Sequence, residues 1–379
     1  MPPVPLGPMG RKIAKGFEAF NWHWWPAYSA INTKEYQGRP IDDFQRPSNM
    51  GDFSGSRGSV ENTYLPKAIS RGLHVKEKCQ IIRLIPDESK KSISKVIYKD
   101  HYGEVHSCGA KVIIIAAGGI GTPRLLLGSK SSYFPSGICN SSTLVGRNLM
   151  LHPLGYVEGQ FPENLYSNIG PQGCCLLSQE FNKTENQRNF IRGYTFQAIR
   201  GPLPIEAATN LLNSRQINLG NDFVKQFFSR YNHTAHLAII TEDLPELDNR
   251  VLLNPSEMKN DLPGVKIKYK LSENTKNMLI HGLSNGRKIL KKAGAIKTSA
   301  FGPVRYTGWH TLGTCRMGNN PKKSVVNKDG KAHDFDNLFI VDASIFPTSS
   351  SVNPAATIQA LSLYISSNIW HKYKNLFTK

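Results

Sequence analysis

No stretch of this 379-residue sequence approaches the roughly 20 consecutive apolar residues of a membrane-spanning helix; the longest apolar run is Val112–Ala117. The N-terminus, MPPVPLGPMGRKIAKGF, has basic residues but no apolar stretch behind them, so it does not read as a secretory signal. Six cysteines (Cys79, Cys108, Cys139, Cys174, Cys175 and Cys315) include no CxxC and no Cys/His cluster at metal-ligand spacing. That argues against zinc and iron–sulfur sites, and a disulfide framework is out of place at this size. The neighbours Cys174 and Cys175 read as two buried small residues rather than a redox pair. There is no internal repeat. Acidic residues are scarce: 28 Asp and Glu stand against 47 Lys and Arg, a formal charge of +19, and none lies between Glu104 and Glu158. Such an excess can mark nucleic-acid binding. The basic residues are scattered and no basic block is interleaved with aromatics, which favours a generally basic surface and no nucleic-acid partner.

What is present is a globular composition, 39% hydrophobic and 20% charged. The Pro-rich opening PPVPLGP and the aromatic NWHWWPAYSAIN read as an extended arm wrapped over a protein surface, with packing as the usual role of such aromatics. Residues 39–59 carry Gly, Ser, Pro and Asp throughout and read as a long loop. From Glu61 the pattern predicts a helix ending at Gly72. Strands follow in LHVKEKC, QIIRLI and ISKVIYKD, and the run KVIIIAA suits a central strand of a parallel sheet buried on both faces. Residues 155–300 show alternating segments (GCCLLSQEF, YTFQAIR, HTAHLAII, RVLLNP, GVKIKYKL) and predict an antiparallel sheet. A helix is expected over about Glu273–Lys292, with Leu279, Leu283, Ile289 and Leu290 on one side. The strand NLFIVDAS, a Pro/Ser loop and a helix beginning at Pro354 close the chain.

Two constellations carry chemistry. In AAGGIGTPRLLLGS a glycine turn follows the buried strand and runs into a short helix that Thr122 can cap, with Pro123 at its first position. Glycines admit a ligand close to the backbone, and a helix N-terminus favours anions. The third glycine of a dinucleotide fingerprint is missing, as is the acidic residue about 20 positions on. Tight strand–helix packing explains these glycines equally well.

The second constellation is GWHTLGTCRMG with DASIFPTSSSVNPAAT. It sets His310 between Trp309 and a flexible turn, and Asn353 before a proline at a helix start. Oxidising an alcohol means removing the hydroxyl proton as the carbon gives up hydride. A neutral imidazole, with an ordinary pKa near 6.5, suits that task, and an amide beside it can hold the oxygen. A lone loop histidine is also commonly structural; His233, His236 and His281 are read that way. Asp342 ends NLFIVDAS, where a strand's carboxyl end meets ligand in open α/β sheets, or where a carboxylate caps a turn.

AAGGIGTPRLLL with LVGRNLMLHP, and GWHTLGTCRMG with SVVNKDGKAHDFDNLFIVDASIFPTSSSVNPAATIQALSL, resemble the two signature regions of the glucose–methanol–choline (GMC) oxidoreductases. The resemblance covers almost the whole chain and is strongest over 112–153 and 307–365. NWHWWPAYSAIN resembles bacterial gluconate- or sugar-dehydrogenase flavoprotein subunits. The resemblance implies FAD, with His310 as catalytic base and Asn353 as its partner. It implies cofactor contacts at Ile81 (adenine), Asp342 and Ala343 (ribityl–pyrophosphate), and Asn353, Pro354 and Ala355 (isoalloxazine), and no metal. The fold it implies is α/β plus α+β: an incomplete FAD-binding doubly wound domain with an inserted antiparallel-sheet substrate domain. The expected division is 1–154 (part of the FAD-binding domain), 155–300 (substrate binding) and 301–379 (return to the FAD-binding domain and active site).

The implied reaction is oxidation of a CH–OH group of an alcohol, sugar or polyol, with hydride passing to flavin N5. Oxygen, a quinone or a cytochrome subunit is the acceptor. The departure is the family's GxGxxG unit, which this sequence lacks. A misplaced start, a split protein or a decayed gene would each explain that, and each makes FAD binding by this polypeptide alone poor. The alternative is therefore a non-catalytic fragment or split subunit that needs a separate N-terminal piece. As written the sequence is cytoplasmic; a signal in the missing part would make it periplasmic.

Overall fold

The computed structural model describes residues 1–45, 51–170, 174–213, 219–259, 261–305 and 307–378. Along the chain, helix α1 (Gly7–Glu18) is followed by the short strand β1 (Trp25–Pro26) and helix α2 (Tyr64–Ile69). Strands β2 (Gln80–Pro86), β3 (Ile93–Lys99), β4 (Val105–Cys108) and β5 (Ile113–Ile115) lead to helix α3 (Gly118–Gly128). Next come β6 (Leu154–Gln160), β7 (Cys174–Ser178), β8 (Tyr194–Ile199), helices α4 (Pro204–Asn213) and α5 (Asn221–Arg230), and β9 (Thr234–Thr241). The hairpin β10 (Arg250–Lys259)–β11 (Leu262–Lys268), helix α6 (Glu273–Lys292) and β12 (Lys297–Phe301) follow. Strand β13 (Leu338–Ile340), a 3-10 turn at Ala343–Ile345, α7 (Ala355–Lys372) and α8 (Asn375–Thr378) close it.

These elements form two compact units, Met1–Val75 with Pro153–Thr241 and Glu273–Thr307, and Lys76–His152 with Glu242–Ser272 and Gly308–Lys379. The path departs from the expected three-segment division at two places. Residues 1–75 join the first unit because α1 packs on α6, and the β10–β11 hairpin joins the second because it packs on α3.

The first unit holds a six-stranded sheet in the order β1-β7-β8-β9-β6-β12, antiparallel throughout. Side chains of a strand alternate between faces. Val157, Tyr194, Phe196, Leu237 and Ile239 accordingly share one core with Met278, Ile289 and Leu290 of α6 and Met9, Ile13 and Phe17 of α1. Leu154, Ala238 and Ile240 form a separate cluster. Each such large side chain, taken fully out of water, contributes about 1.5–3 kcal/mol. Leu279, Ile289 and Leu290 are buried as the α6 pattern requires, while Leu283 is only partly covered. The Pro-rich opening stays outside regular structure up to Leu6, and a helix not expected there, α1, begins at Gly7. Met9, Ile13 and Phe17 recur at spacing four and Pro8 sits in the first turn, where its missing N–H costs nothing. The described part of the 39–59 loop is pinned: Asp42 Oδ2 accepts from Ser56 Oγ (2.7 Å) and Arg57 Nε (3.0 Å).

The second unit contains the antiparallel meander β2-β3-β4 and the parallel pair β5–β13, in register from Ile113↔Leu338 to Ile115↔Ile340. Its core joins Ile113, Ile115, Leu126, Leu338, Phe339, Ile340 and Ile365. The segment LHVKEKC, expected as a strand, forms none: Leu73–Lys76 has no regular structure and Glu77–Lys78 makes a turn. The KVIIIAA strand is shorter than expected and is not buried on both faces: Ile114 is 51% exposed. β13 is its sole partner among the described strands, which leaves β5 with an open edge, while Leu338, Phe339 and Ile340 of β13 are all buried.

Candidate active site

The site residues collect in the second unit around a short antiparallel crossing. Met150 N donates to Leu312 O and Leu312 N to Met150 O, both at 3.0 Å. That register sets residue 152 opposite residue 310, with side chains on one face. His152 Nδ1 and His310 Nδ1 lie 2.8 Å apart, with ring centroids at 4.8 Å and planes inclined by 71°. Burial lowers the pKa of His310, so a neutral imidazole is favoured. His152 is only 2% exposed. Burial first, then the neighbouring His310, depress its pKa to about 3, against a smaller opposing effect of the Ser350 backbone.

The segment carrying His310 is tied on its other side to the turn after β13. Gly313 N donates to Ala343 O (3.2 Å), Cys315 N to Ser344 O (2.8 Å) and Met317 N to Ile345 O (2.8 Å). Asp342 begins that turn as its cap: Oδ1 accepts from Ser344 N (2.8 Å), while Oδ2 accepts from Gly118 N (2.9 Å) and Thr122 Oγ1 (2.5 Å). A carboxylate at the first turn of a helix answers both its free N–H groups and its dipole. Asp342 therefore takes up one backbone donor of the first turn of α3, Gly118 N, and the Thr122 hydroxyl.

The glycine turn corrects two expectations. Helix α3 begins at Gly118, so Thr122 is not its cap and Pro123 lies inside it. Proline lacks the N–H that would reach the carbonyl four residues back, at Gly119. Thr314 Oγ1 supplies that bond instead, donating to Gly119 O at 2.7 Å. A Cβ on Gly119 would collide with the backbone of Thr311, so this glycine serves close packing. Gly118 is different: its φ of +74° and the open space where a Cβ would stand leave its backbone approachable.

Asn353 is exposed, immediately before Pro354, the N-cap of α7; Pro354 is buried and Ala355 exposed. The Asn353 loop and the His152 strand share one anchor. Asp243, 1% exposed, accepts at Oδ2 from Leu151 N (3.0 Å) and from the Tyr269 hydroxyl (2.7 Å). Its own N–H donates to Ser349 Oγ (3.0 Å), which donates back to Asp243 O (2.8 Å). Burial, reinforced by Asp243, pushes the Tyr269 phenol far above its usual range, so it stays a donor. Ile81 stands apart on the meander, paired with Tyr98 and about two-fifths exposed. Sequence reasoning gave no role to His152 or Asp243. The LMLHP motif held a signal for the first, while nothing local distinguishes the second.

Comparison with known proteins places this chain in a family. The N-terminal and C-terminal models described as GMC oxidoreductase match residues 21–154 and 245–362. A 2-methyl-1,2-propanediol dehydrogenase of Mycolicibacterium austroafricanum is 32% identical over 99% of this chain and 68% of its own length. The fructose dehydrogenase large subunit of Gluconobacter japonicus is 27% identical over 78% of this chain and 53% of its own length. The chain thus spans about half to two thirds of these relatives. The crystal structure of pyridoxine 4-oxidase from Mesorbium loti shares the fold, with TM-score 0.67 and 17% identity over 97% of this chain and 72% of the other. The chain belongs to the GMC oxidoreductase family.

Membership implies FAD as cofactor. The residues present fit part of it. Gly118 offers approachable backbone beyond the end of β5, Asn353 and Ala355 are exposed, and His310 supplies a neutral ring. At the start of α3, Gly118 N and the Thr122 hydroxyl are already taken by the Asp342 carboxylate, which leaves those two donors unavailable to a pyrophosphate.

Proposed function

We propose that this chain carries the acid–base half of an FAD-dependent oxidation of CH–OH groups, with an alcohol, sugar or polyol as substrate. FAD, when bound, supplies the two-electron acceptor for the hydride. His310 takes the hydroxyl proton at Nε2, since Nδ1 is engaged with His152. Asn353 steadies the same oxygen through its amide. Asp342, Ala343, Pro354, Ala355 and Ile81 hold the cofactor through backbone and van der Waals contact. The single observation behind this reading is the pair of imidazoles at 2.8 Å, both with lowered pKa, on the segment that carries the family signature. A half-buried neutral base beside a fixed partner is what proton abstraction near pH 7 needs.

The test is reconstitution of the full chain with FAD, followed by anaerobic bleaching of the flavin absorbance on adding alcohols and sugars. His310→Ala should slow bleaching by about 10²–10⁴-fold, the usual contribution of a general base. Unchanged bleaching in that variant would remove His310 from the reaction.

A second reading is a subunit that needs another strand–helix segment, carrying the phosphate cradle, before FAD binds. Three observations favour it: the half-exposed Ile114, the internal carboxylate at the start of α3, and α7, which buries only Ile365 and Ile369 although it is apolar around most of its circumference. Colourless protein that turns yellow only when such a segment is added would support it. Yellow protein from this chain alone would refute it.

A further inference from the structure

We propose that His152 is a positioning residue: it accepts a hydrogen bond from His310 Nδ1–H and so fixes His310 in the tautomer whose Nε2 lone pair is free to take the substrate proton. This deepens the proposed function and rests on it for the proton's origin, but the tautomer belongs to the chain itself.

Two neutral imidazoles whose Nδ1 atoms lie 2.8 Å apart must share one proton between those atoms. There are two arrangements. If His152 donates, His310 holds its own proton on Nε2, where it can donate but not abstract. If His310 donates, its Nε2 is left as a base. The proposed abstraction decides between them, since only the second leaves His310 Nε2 with a lone pair for the substrate proton. Neutral His152 then carries its own proton on Nε2, a buried atom that meets no hydrogen-bond partner among the described residues. His152 Nδ1 is then the acceptor and His310 the donor.

Position and burial suit the role. His152 is held opposite His310 by the Met150–Leu312 crossing, and the adjoining Leu151 N–H is fixed by Asp243. Burial of the ring keeps it neutral through the range where a base operates. When His310 takes a proton at Nε2, the Nδ1–H bond to His152 persists and becomes charge-assisted, which stabilises the imidazolium.

The experiment uses the full chain labelled with 15N-histidine, read by two-bond 15N–1H correlation, with and without FAD. Wild type should show His310 protonated on Nδ1 and bare on Nε2, and His152 the reverse. His152→Asn, whose amide oxygen can take over as acceptor, should keep the His310 tautomer and hold kcat within about tenfold. His152→Leu should release His310 to the Nε2–H form and lower kcat about 10–100-fold with KM little changed, a part of what a general base supplies. A wild-type His310 protonated on Nε2 would overturn the proposal. So would equal losses in the Asn and Leu variants with an unchanged His310 spectrum. Should the Leu variant fail to fold, the wild-type and Asn spectra decide alone. The spectra need no turnover: a chain that oxidises nothing yet shows the expected tautomers loses the proposed reaction and keeps this assignment.

Discussion

The two units solve the same packing problem with unequal success. In the first, six antiparallel strands find every partner within the chain, and α6 with α1 closes the face that bears Val157, Phe196 and Ile239. In the second, the parallel pair β5–β13 has two strands, half-exposed Ile114, and a neighbouring helix, α7, with Leu363, Tyr364 and Trp370 largely in solvent. Antiparallel strands can satisfy one another through short turns, whereas parallel strands depend on crossovers that cover both faces. Of the two, the second unit is the one with the open-edged parallel pair, and it is also the one that holds the signature residues.

Four substitutions or conditions would break or sharpen this contrast. The largest effect is expected in the first unit. Phe196→Ala removes a fully buried ring that meets Phe17, Phe181 and Tyr194, and should cost about 3–5 kcal/mol in urea unfolding. A loss below 1 kcal/mol would show that this core is not as complete as drawn.

The next effect is in the second unit and depends on pH. His152 has a folded pKa of about 3 against 6.5 when unfolded. Between those values the unfolded chain binds more protons, so stability present above pH 6.5 drains as pH falls towards 3. From pH 7 to 4.5 that group alone should remove roughly 3 kcal/mol. His152→Asn should lose this part of the acid limb when unfolding is followed at both pH values, and an unaltered limb would contradict the burial described.

Asp342→Asn comes third. It sets an amide N–H against one of the donors that now face the carboxylate, Gly118 N, Thr122 Oγ1 or Ser344 N. The expected loss is about 2 kcal/mol, with earlier amide exchange at the start of α3. Smallest is Trp370→Ala, on the exposed side of α7, which should stay within about 0.5 kcal/mol. If an added strand–helix segment makes Trp370→Ala costly, the segment covers α7; if the value does not move, it docks elsewhere.

How legible all this was in the sequence follows the same division. Alternation over β8 and β9 and the apolar spacing of α6 are local signals, and both predicted their elements. The first helix was legible too, in Met9, Ile13 and Phe17, but the prolines before it suggested an arm. β5 was read as central because Val112–Ala117 is apolar at every position; whether anything covers Ile114 is a tertiary fact that its own residues do not encode. Among site residues, His310 and Asn353 stood out by their loops. His152 did not, since its meaning arises only when Met150 pairs with Leu312, and Asp243 gains its place from Leu151, Tyr269 and Ser349 together.

The first turn of α3 cannot be finished by its own neighbourhood. Pro123 leaves Gly119 O to Thr314, 195 residues later, and Gly118 N and Thr122 are completed by Asp342, more than 200 residues later. During synthesis these polar groups are therefore served by water until Thr314 and Asp342 have emerged from the ribosome. The start of the helix thus matures well after its own residues are made, and nascent chains stopped before Thr314 should carry it frayed.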